Sequence, residues 1–97
     1  MEFQIIKNEG RSRFELQLSG AQAFVDFIEI GKKIVFTHTE VPVGFEGEGI
    51  GSLLAQHVID YARHKKLEVI PLCPFIAAWL RKHPDQQDVL SPDIELA

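Results

Sequence analysis

Three closely spaced glycines, Gly47, Gly49 and Gly51, stand in the middle of this 97-residue sequence. Because glycine has no Cβ atom, it adopts backbone conformations that other residues avoid and lets a ligand approach the main chain closely. An amphipathic segment begins at Ile50, and the first turn of a helix carries backbone N–H groups without partners inside the helix. Such groups commonly bind phosphate or pyrophosphate. The spacing therefore predicts an anion-binding loop at the start of a helix.

The single cysteine, Cys73, stands between a short apolar segment and Pro74. Proline is favoured at the first position of a helix, so we expect Cys73 to be the N-cap of a helix that begins at Pro74. The positive end of a helix favours the thiolate, the reactive form of cysteine. One interpretation is a nucleophile; the other is a small apolar residue that packs the end of a strand, because free cysteines are often buried.

His38 and Glu40 are two positions apart in the apolar segment that leads into the glycine loop. Residues two apart on a strand share a face, so both side chains can reach one ligand. Histidine titrates near neutral pH and is a candidate proton acceptor, although it can equally bond a neighbouring turn. His57 and His64 are seven residues apart and lack the spacing of a helical metal pair, and one cysteine excludes a multi-cysteine zinc site. We expect no metal site.

Length and composition indicate one domain, residues 1–97, with 45% hydrophobic and 25% charged residues. A net charge of -4 argues against a nucleic-acid partner, which requires a basic face. The sequence has no apolar run near the roughly 18 residues of a membrane span, and its start does not resemble a signal peptide. We therefore expect a cytoplasmic protein without a membrane partner.

Hydrophobic patterns predict strands in the first half and helices in the second. Two antiparallel hairpins are expected, with strands at 3–7 and 13–18, then at 21–30 and 34–41.

From Ile50 the apolar residues follow a helical period as far as Lys66. A strand at 67–72 and a helix at 74–82, stopped by His83 and Pro84, come next. Strand, crossover helix and strand form a β-α-β unit, so the strand at 67–72 should lie parallel to the one ending at Val41. Residues 85–97 show no periodicity and are expected to form a loosely packed tail.

Spacing separates three kinds of glycine loop. A nucleoside-triphosphate P-loop requires a lysine, and none stands between Val41 and Gln56. A dinucleotide fold requires glycine or alanine where this sequence has Ser52, and an acidic residue at a strand end, whereas Glu68 begins its strand. The remaining pattern, [Gln/Arg]-x-x-Gly-x-Gly/Ala, fits from Gly47 onward and departs only at its first position, Glu46.

With this loop, the segments 37–42 and 70–75 and the element order, the chain resembles the GNAT acetyltransferase superfamily, in particular its small single-domain members. The resemblance covers nearly all of residues 3–90. It implies an α+β fold, with antiparallel strands followed by one β-α-β unit and a C-terminal helix. It also implies acetyl-coenzyme A (acetyl-CoA) as the partner, its pyrophosphate in the glycine loop and its pantetheine arm between two splayed strands.

Carried over by position, the resemblance assigns cofactor contacts to Val41, Val43, Gly47, Gly49, Ile50, Gly51, Ser52, Cys73 and Pro74. It also makes Glu40, then His38, the candidate general base, and Cys73 a candidate acyl relay. Two departures stand out. Glu46 replaces the usual arginine or glutamine, and the general-acid tyrosine of many larger relatives has no counterpart on the last helix.

The resulting hypothesis is an acetyl-CoA-dependent N-acetyltransferase that transfers acetyl to a primary amine of unknown identity. The amine would attack the thioester directly after Glu40 or His38 removes its proton. The alternatives are a coenzyme A (CoA)-binding or acyl-sensing module without turnover, and a protein-interaction domain. The acidic loop and the missing tyrosine favour the former alternative.

Overall fold

The computed structural model describes residues 4–96, which form one five-stranded sheet with its helices after the fourth strand. The strands follow the order of the chain across the sheet, β1-β2-β3-β4-β5. This arrangement confirms the expected α+β class. The elements are β1 Ile5–Asn8, β2 Arg13–Leu18, β3 Ala21–Ile30, β4 Lys33–Glu40, α1 Ile50–Lys65, β5 Glu68–Pro71, α2 Pro74–Lys82 and a 3₁₀ helix, Pro84–Val89.

The antiparallel strands bury every second side chain against the helices. Phe14 and Leu16 of β2 pair with Val25 and Ala23 of β3, and all four are almost fully buried. Alternation of this kind is the pattern of a sheet with one covered face. Phe3, where the first strand was expected to begin, lies outside the described residues.

A β-bulge interrupts the pairing of β3 with β4. Phe36 lies opposite Phe27, but His38 lies opposite Asp26, so Thr37 is an extra residue in β4. An inserted residue reverses the alternation of the residues that follow it. In a regular strand, His38 would lie on the same buried face as Phe36. Because Thr37 is inserted between them, His38 is exposed instead.

The helix α1 crosses over the sheet and returns the chain as β5, which lies parallel to β4 from Lys33 and Glu68 to Phe36 and Pro71. Its inner face buries an apolar stripe of Ile50, Leu54, Ala55, Val58, Ile59 and Ala62. The parallel β-α-β unit is therefore as expected. No helix within residues 4–96 is long and apolar enough to cross a membrane.

Residues 85–91 are packed, which differs from the loose tail expected from the sequence. The backbone N–H of Ser91 donates to the carbonyl of Val69 at 3.0 Å, and Leu90 forms a β-bridge with Val69. Val89 and Ser91 are buried. A six-residue 3₁₀ helix and one bridge are too short to produce a periodic pattern, which is why the sequence does not reveal them.

Candidate functional site

A cavity of about 530 Å³ opens between the glycine loop and α2. From the loop and the start of α1, the predicted residues that line it are Val41, Gly47, Gly49, Ile50, Gly51 and Ser52. From α2 and the residue after it, the lining residues are Phe75, Ala78, Trp79, Lys82 and His83. The cavity therefore brings together six of the residues expected to contact the cofactor.

Two loop glycines have the left-handed backbone that favours glycine. Gly47 has φ 83° and Gly49, the N-cap of α1, has φ 79°. A Cβ atom at either position would meet no atom within 4 Å, so packing does not explain these glycines. The first bond of α1 joins the N–H of Leu53 to the carbonyl of Gly49. The three preceding N–H groups have no backbone acceptor within residues 4–96, which suits an anion.

Gly51 has a packing role in addition to its place in the cavity lining. It lies within α1 rather than in a left-handed conformation. A Cβ atom here would lie 2.6 Å from Cζ of Phe75. Gly51 therefore allows α2 to pack closely against the start of α1.

Ser52 is held by an aromatic residue that sequence reasoning did not assign to the site. The indole Nε1 of Trp79 donates a hydrogen bond to Oγ of Ser52 at 3.0 Å. Because the serine oxygen accepts this bond, its own hydroxyl hydrogen is available to donate to a ligand in the cavity.

The strand β4 extends beyond its partner β5 beside this cavity. Their pairing ends at Phe36 and Pro71, and the N–H of Cys73 then donates to the carbonyl of Phe36 at 2.8 Å. Residues Thr37–Glu40 of β4 pair with no strand on that side in the part of the chain that the structure describes. An unpaired strand edge offers backbone donors and acceptors to an extended ligand.

Cys73 lies next to this open edge as the N-cap of α2, directly before Pro74. Its side chain is 2% exposed, and Sγ lies 3.1 Å from Oγ1 of Thr39. Neither Cys73 nor Pro74 lines the cavity. The buried, hydrogen-bonded thiol matches the packing interpretation of this residue, and access to the thiol requires a local movement.

His38 and Glu40 share the opposite face of β4, as their spacing predicted. Nε2 of His38 lies 3.5 Å from Oε1 of Glu40, and the two side chains are 57% and 59% exposed. The His38 ring packs near Phe24, with 6.0 Å between ring centroids. Neither residue lines the cavity, so the two candidate bases lie across the strand from it.

Two other loop residues, Val43 and Glu46, differ in their position relative to the cavity. Val43, expected to contact the pantetheine arm, is 91% exposed and does not line the cavity. Glu46 lines the cavity, whereas Glu48 does not. Glu46, the residue that departs from the loop pattern, therefore belongs to the wall of a cavity in which an anion is expected.

The α2 wall is the part of the site that sequence reasoning missed. Its residues stand at positions i, i+3, i+4, i+7 and i+8 from Phe75, which place them on one side of the helix. This stripe was the available signal. His83 closes the wall: its ring stacks on Trp79 at 4.1 Å, and its Nδ1 lies 2.7 Å from the Trp79 carbonyl oxygen.

Comparison with known proteins indicates a family for this chain. Residues 13–89 match the sequence model of the GCN5-related N-acetyltransferase family. Protein NATD1 from Gallus gallus is 30% identical over 84 residues, which are 84% of this chain and 76% of the relative. Protein NATD1 from Homo sapiens is 31% identical over 77 residues, or 76% of this chain and 68% of the relative.

A solved structure shares the fold. The NMR solution structure of a GCN5-like protein from Staphylococcus aureus superposes with a TM-score of 0.72 at 27% identity, covering 91% of this chain and 87% of that one. The glycine loop before α1, the open edge of β4 and the family match together lead to one conclusion. The chain belongs to the GCN5-related N-acetyltransferase family.

Proposed function

We propose that this protein transfers the acetyl group of acetyl-CoA to a primary amine. Membership of the family suggests acyl-CoA-dependent N-acetyltransferase activity. The observation that carries the finer proposal is the open edge of β4 at Thr37–Glu40, which adjoins a cavity lined in part by the start of α1. An extended ligand with an anionic end fits such a combination.

Different residues of the site would bind different parts of acetyl-CoA. The free N–H groups at the start of α1 and the Ser52 hydroxyl would hold the pyrophosphate, with Gly47 and Gly49 leaving open space for it. Val41 and the unpaired edge before it would bond the pantetheine arm. Bound acetyl-CoA supplies the activated thioester carbonyl. Thr39 and Cys73 lie beside the expected position of that group.

Glu40 and His38 face the acceptor in this proposal. The amine approaches over the exposed face of β4, where Glu40 takes its proton and leaves the nitrogen lone pair free. The nitrogen then bonds to the thioester carbon and the carbon–sulfur bond breaks. The surplus proton on the nitrogen passes to the departing sulfur, so CoA leaves as the thiol. The products are the acetylated amine and CoA. Catalysis of this type rests mainly on the placement of the two reactants.

A module that binds CoA without turnover is the second candidate. Two observations favour it: Glu46 lines the cavity expected to hold an anion, and neither candidate base lines the same cavity. A protein-interaction domain is the third candidate and requires no CoA affinity. Affinity for acetyl-CoA distinguishes the protein-interaction domain from the other two candidates. Amine-dependent turnover distinguishes the acetyltransferase from the CoA-binding module.

Calorimetric titration with acetyl-CoA, with Gly49→Val as the variant and Gly44→Val as its control, tests binding. Both glycines have left-handed backbones with open space around the missing Cβ, but only Gly49 lines the cavity. Each substitution should cost about 1–2 kcal/mol or more of folding free energy. Only Gly49→Val should abolish binding. Equal affinities for the two variants would refute the placement of the pyrophosphate.

Thioester loss over a panel of small amines and lysine peptides then tests turnover. Acetyl-CoA binding with no amine-dependent thioester loss would favour the module that binds without turnover.

A further inference from the structure

The cavity wall formed by α2 has an order along the helix axis. Phe75 packs against Gly51, and one turn later Trp79 bonds Ser52 at the start of α1. Lys82 lines the cavity a further three residues along, about 4.5 Å beyond Trp79 at the helical rise. The cavity wall on α2 therefore extends past the residues that contact the start of α1, and it includes the cationic residue Lys82.

Lys82 is suited to an anionic ligand. It is exposed, and no carboxylate lies within 4 Å of its ammonium group among residues 4–96. On the loop side of the cavity, Glu46 occupies the motif position at which arginine or glutamine is usual, so no cation stands there.

The adjacent Arg81 offers a comparison within the same helix turn. Both residues suit the negative end of α2, but Arg81 does not line the cavity. The position of Lys82 in the cavity, rather than its charge alone, distinguishes it.

We propose that Lys82 binds the 3′-phosphate of CoA. The inference rests on the proposed function, in which the thioester lies near Cys73 and the pyrophosphate at the start of α1. The part of CoA that continues beyond the pyrophosphate is the adenosine with its 3′-phosphate, a compact dianion that an ammonium group pairs with as a point charge. Lys82 thus gives the protein its preference for CoA over nucleotides without the 3′-phosphate.

Calorimetric titration of the whole chain with CoA and with 3′-dephospho-CoA tests the inference at low salt. The wild-type protein should bind CoA about two- to fivefold more tightly than 3′-dephospho-CoA, the range expected of an exposed charge pair. Lys82→Gln should weaken CoA binding to the level of 3′-dephospho-CoA and leave 3′-dephospho-CoA binding unchanged. The control Arg81→Gln, which removes the same charge one residue away, should keep the preference, as should Lys82→Arg.

Three results would count against these assignments, each in a different way. An equal preference for CoA in the wild type and in Lys82→Gln overturns the role of Lys82 and leaves the proposed function intact. Equal wild-type affinities for CoA and 3′-dephospho-CoA also overturn the role of Lys82 and leave the proposed function intact. Absence of wild-type binding to either ligand overturns the proposed function itself and the inference with it. Matching thermal melts of the four proteins establish that the variants are folded.

Discussion

The thiol of Cys73 and the hydroxyl of Thr39 lie 3.1 Å apart and tie the start of α2 to the last part of β4. Cys73 is 2% exposed, so this pair closes the inner side of the strand end. Thr39 stands between His38 and Glu40, which point to the other side. The contact therefore helps to hold the segment that carries both candidate bases, independently of any chemistry at sulfur.

Cys73→Ala should keep at least part of the transferase activity, because direct attack needs only a base and a bound thioester. A relay nucleophile would instead accumulate an acetyl group in the absence of acceptor. Intact-mass spectrometry after mixing with acetyl-CoA distinguishes the two. A stable acetyl adduct on the wild type that is absent from Cys73→Ala, together with complete loss of turnover in that variant, would establish the relay.

The burial of Cys73 also determines how fast its thiol can be labelled. At 2% exposure, reaction with an alkylating reagent must await local opening of the structure. Labelling should therefore be slow in the folded protein, and bound CoA should slow it further.

Glu40→Gln should lower the turnover rate about 10²-fold or more with little change in affinity for acetyl-CoA, because general-base catalysis typically contributes that much. Glu40 does not line the cavity, so removal of its charge leaves the cofactor contacts in place. Steady-state kinetics and calorimetry on the same preparations supply the two quantities. His38→Gln is the matched variant on the same face. If Glu40→Gln turns over at the wild-type rate, the base is His38 or water.

Glu46→Arg should tighten CoA binding at low salt, because it replaces an acidic residue of the cavity wall by arginine, one of the two residues usual at that motif position. Each exposed charge term is up to about 1 kcal/mol, so reversal of the charge should raise the affinity by roughly one order of magnitude. Glu48→Arg, two residues away and outside the cavity lining, is the control and should have a smaller effect. Weaker binding by Glu46→Arg would place the pyrophosphate elsewhere.

The effect of Gly51→Ala on folding stability should depend on Phe75, the residue that packs against Gly51. Alanine raises helix propensity by up to about 1 kcal/mol, but its Cβ would lie 2.6 Å from Cζ of Phe75. Overpacking costs about 1–3 kcal/mol, and Phe75 is 41% exposed and can yield in part. We expect a small loss of stability in the wild type and a gain in a Phe75→Leu background. Urea unfolding of the four proteins measures the coupling, and additive effects would contradict the contact.

The Arg63–Asp88 ion pair should make the packing of residues 85–91 sensitive to acid. Hydrogen bonds from Arg63 at 2.8 and 3.0 Å lower the pKa of Asp88 from its usual value of 3.8. A lowered carboxyl pKa gives stability that is present above about pH 4 and is lost as the pH falls through the folded-state pKa. Both side chains are partly exposed, so the pair should contribute only about 0.5 kcal/mol.

NMR titration of the Asp88 carboxyl measures this effect directly. Its pKa should rise in Arg63→Gln, and an unchanged pKa would show that the pair does not persist in solution. Asp60→Asn is the control, since Asp60 also pairs with Arg63 but does not contact Asp88 in the described hydrogen bonds.

Much of the fold was predictable because most elements bury a periodic stripe. The helix predicted at 74–82 has those bounds, α1 ends one residue before Lys66, and the fourth strand is shifted by one residue. The glycine loop was predictable because conformational demands at Gly47 and Gly49 restrict the residue type directly.

Other parts of the site depend on contacts that local patterns do not record. Thr37 is a strand-forming residue in a strand-like segment, so nothing in the pattern marks it as the bulge. Gly51 fits the motif, but its packing against Phe75 joins residues far apart in the chain. The Trp79 bond to Ser52 is equally remote. Three-dimensional packing, rather than propensity, determines these features.

The bulge at Thr37 has a kinetic consequence in the proposed reaction. Because it turns His38 and Glu40 away from the cavity, the thioester donor and the amine reach the strand end from opposite sides of the sheet. Acetyl-CoA and the amine can therefore bind in either order, and CoA that remains bound after a reaction does not block binding of the next amine. If the proposed reaction takes place, the protein should therefore form a ternary complex with no obligatory order of addition, seen as intersecting double-reciprocal plots rather than the parallel lines of a ping-pong mechanism.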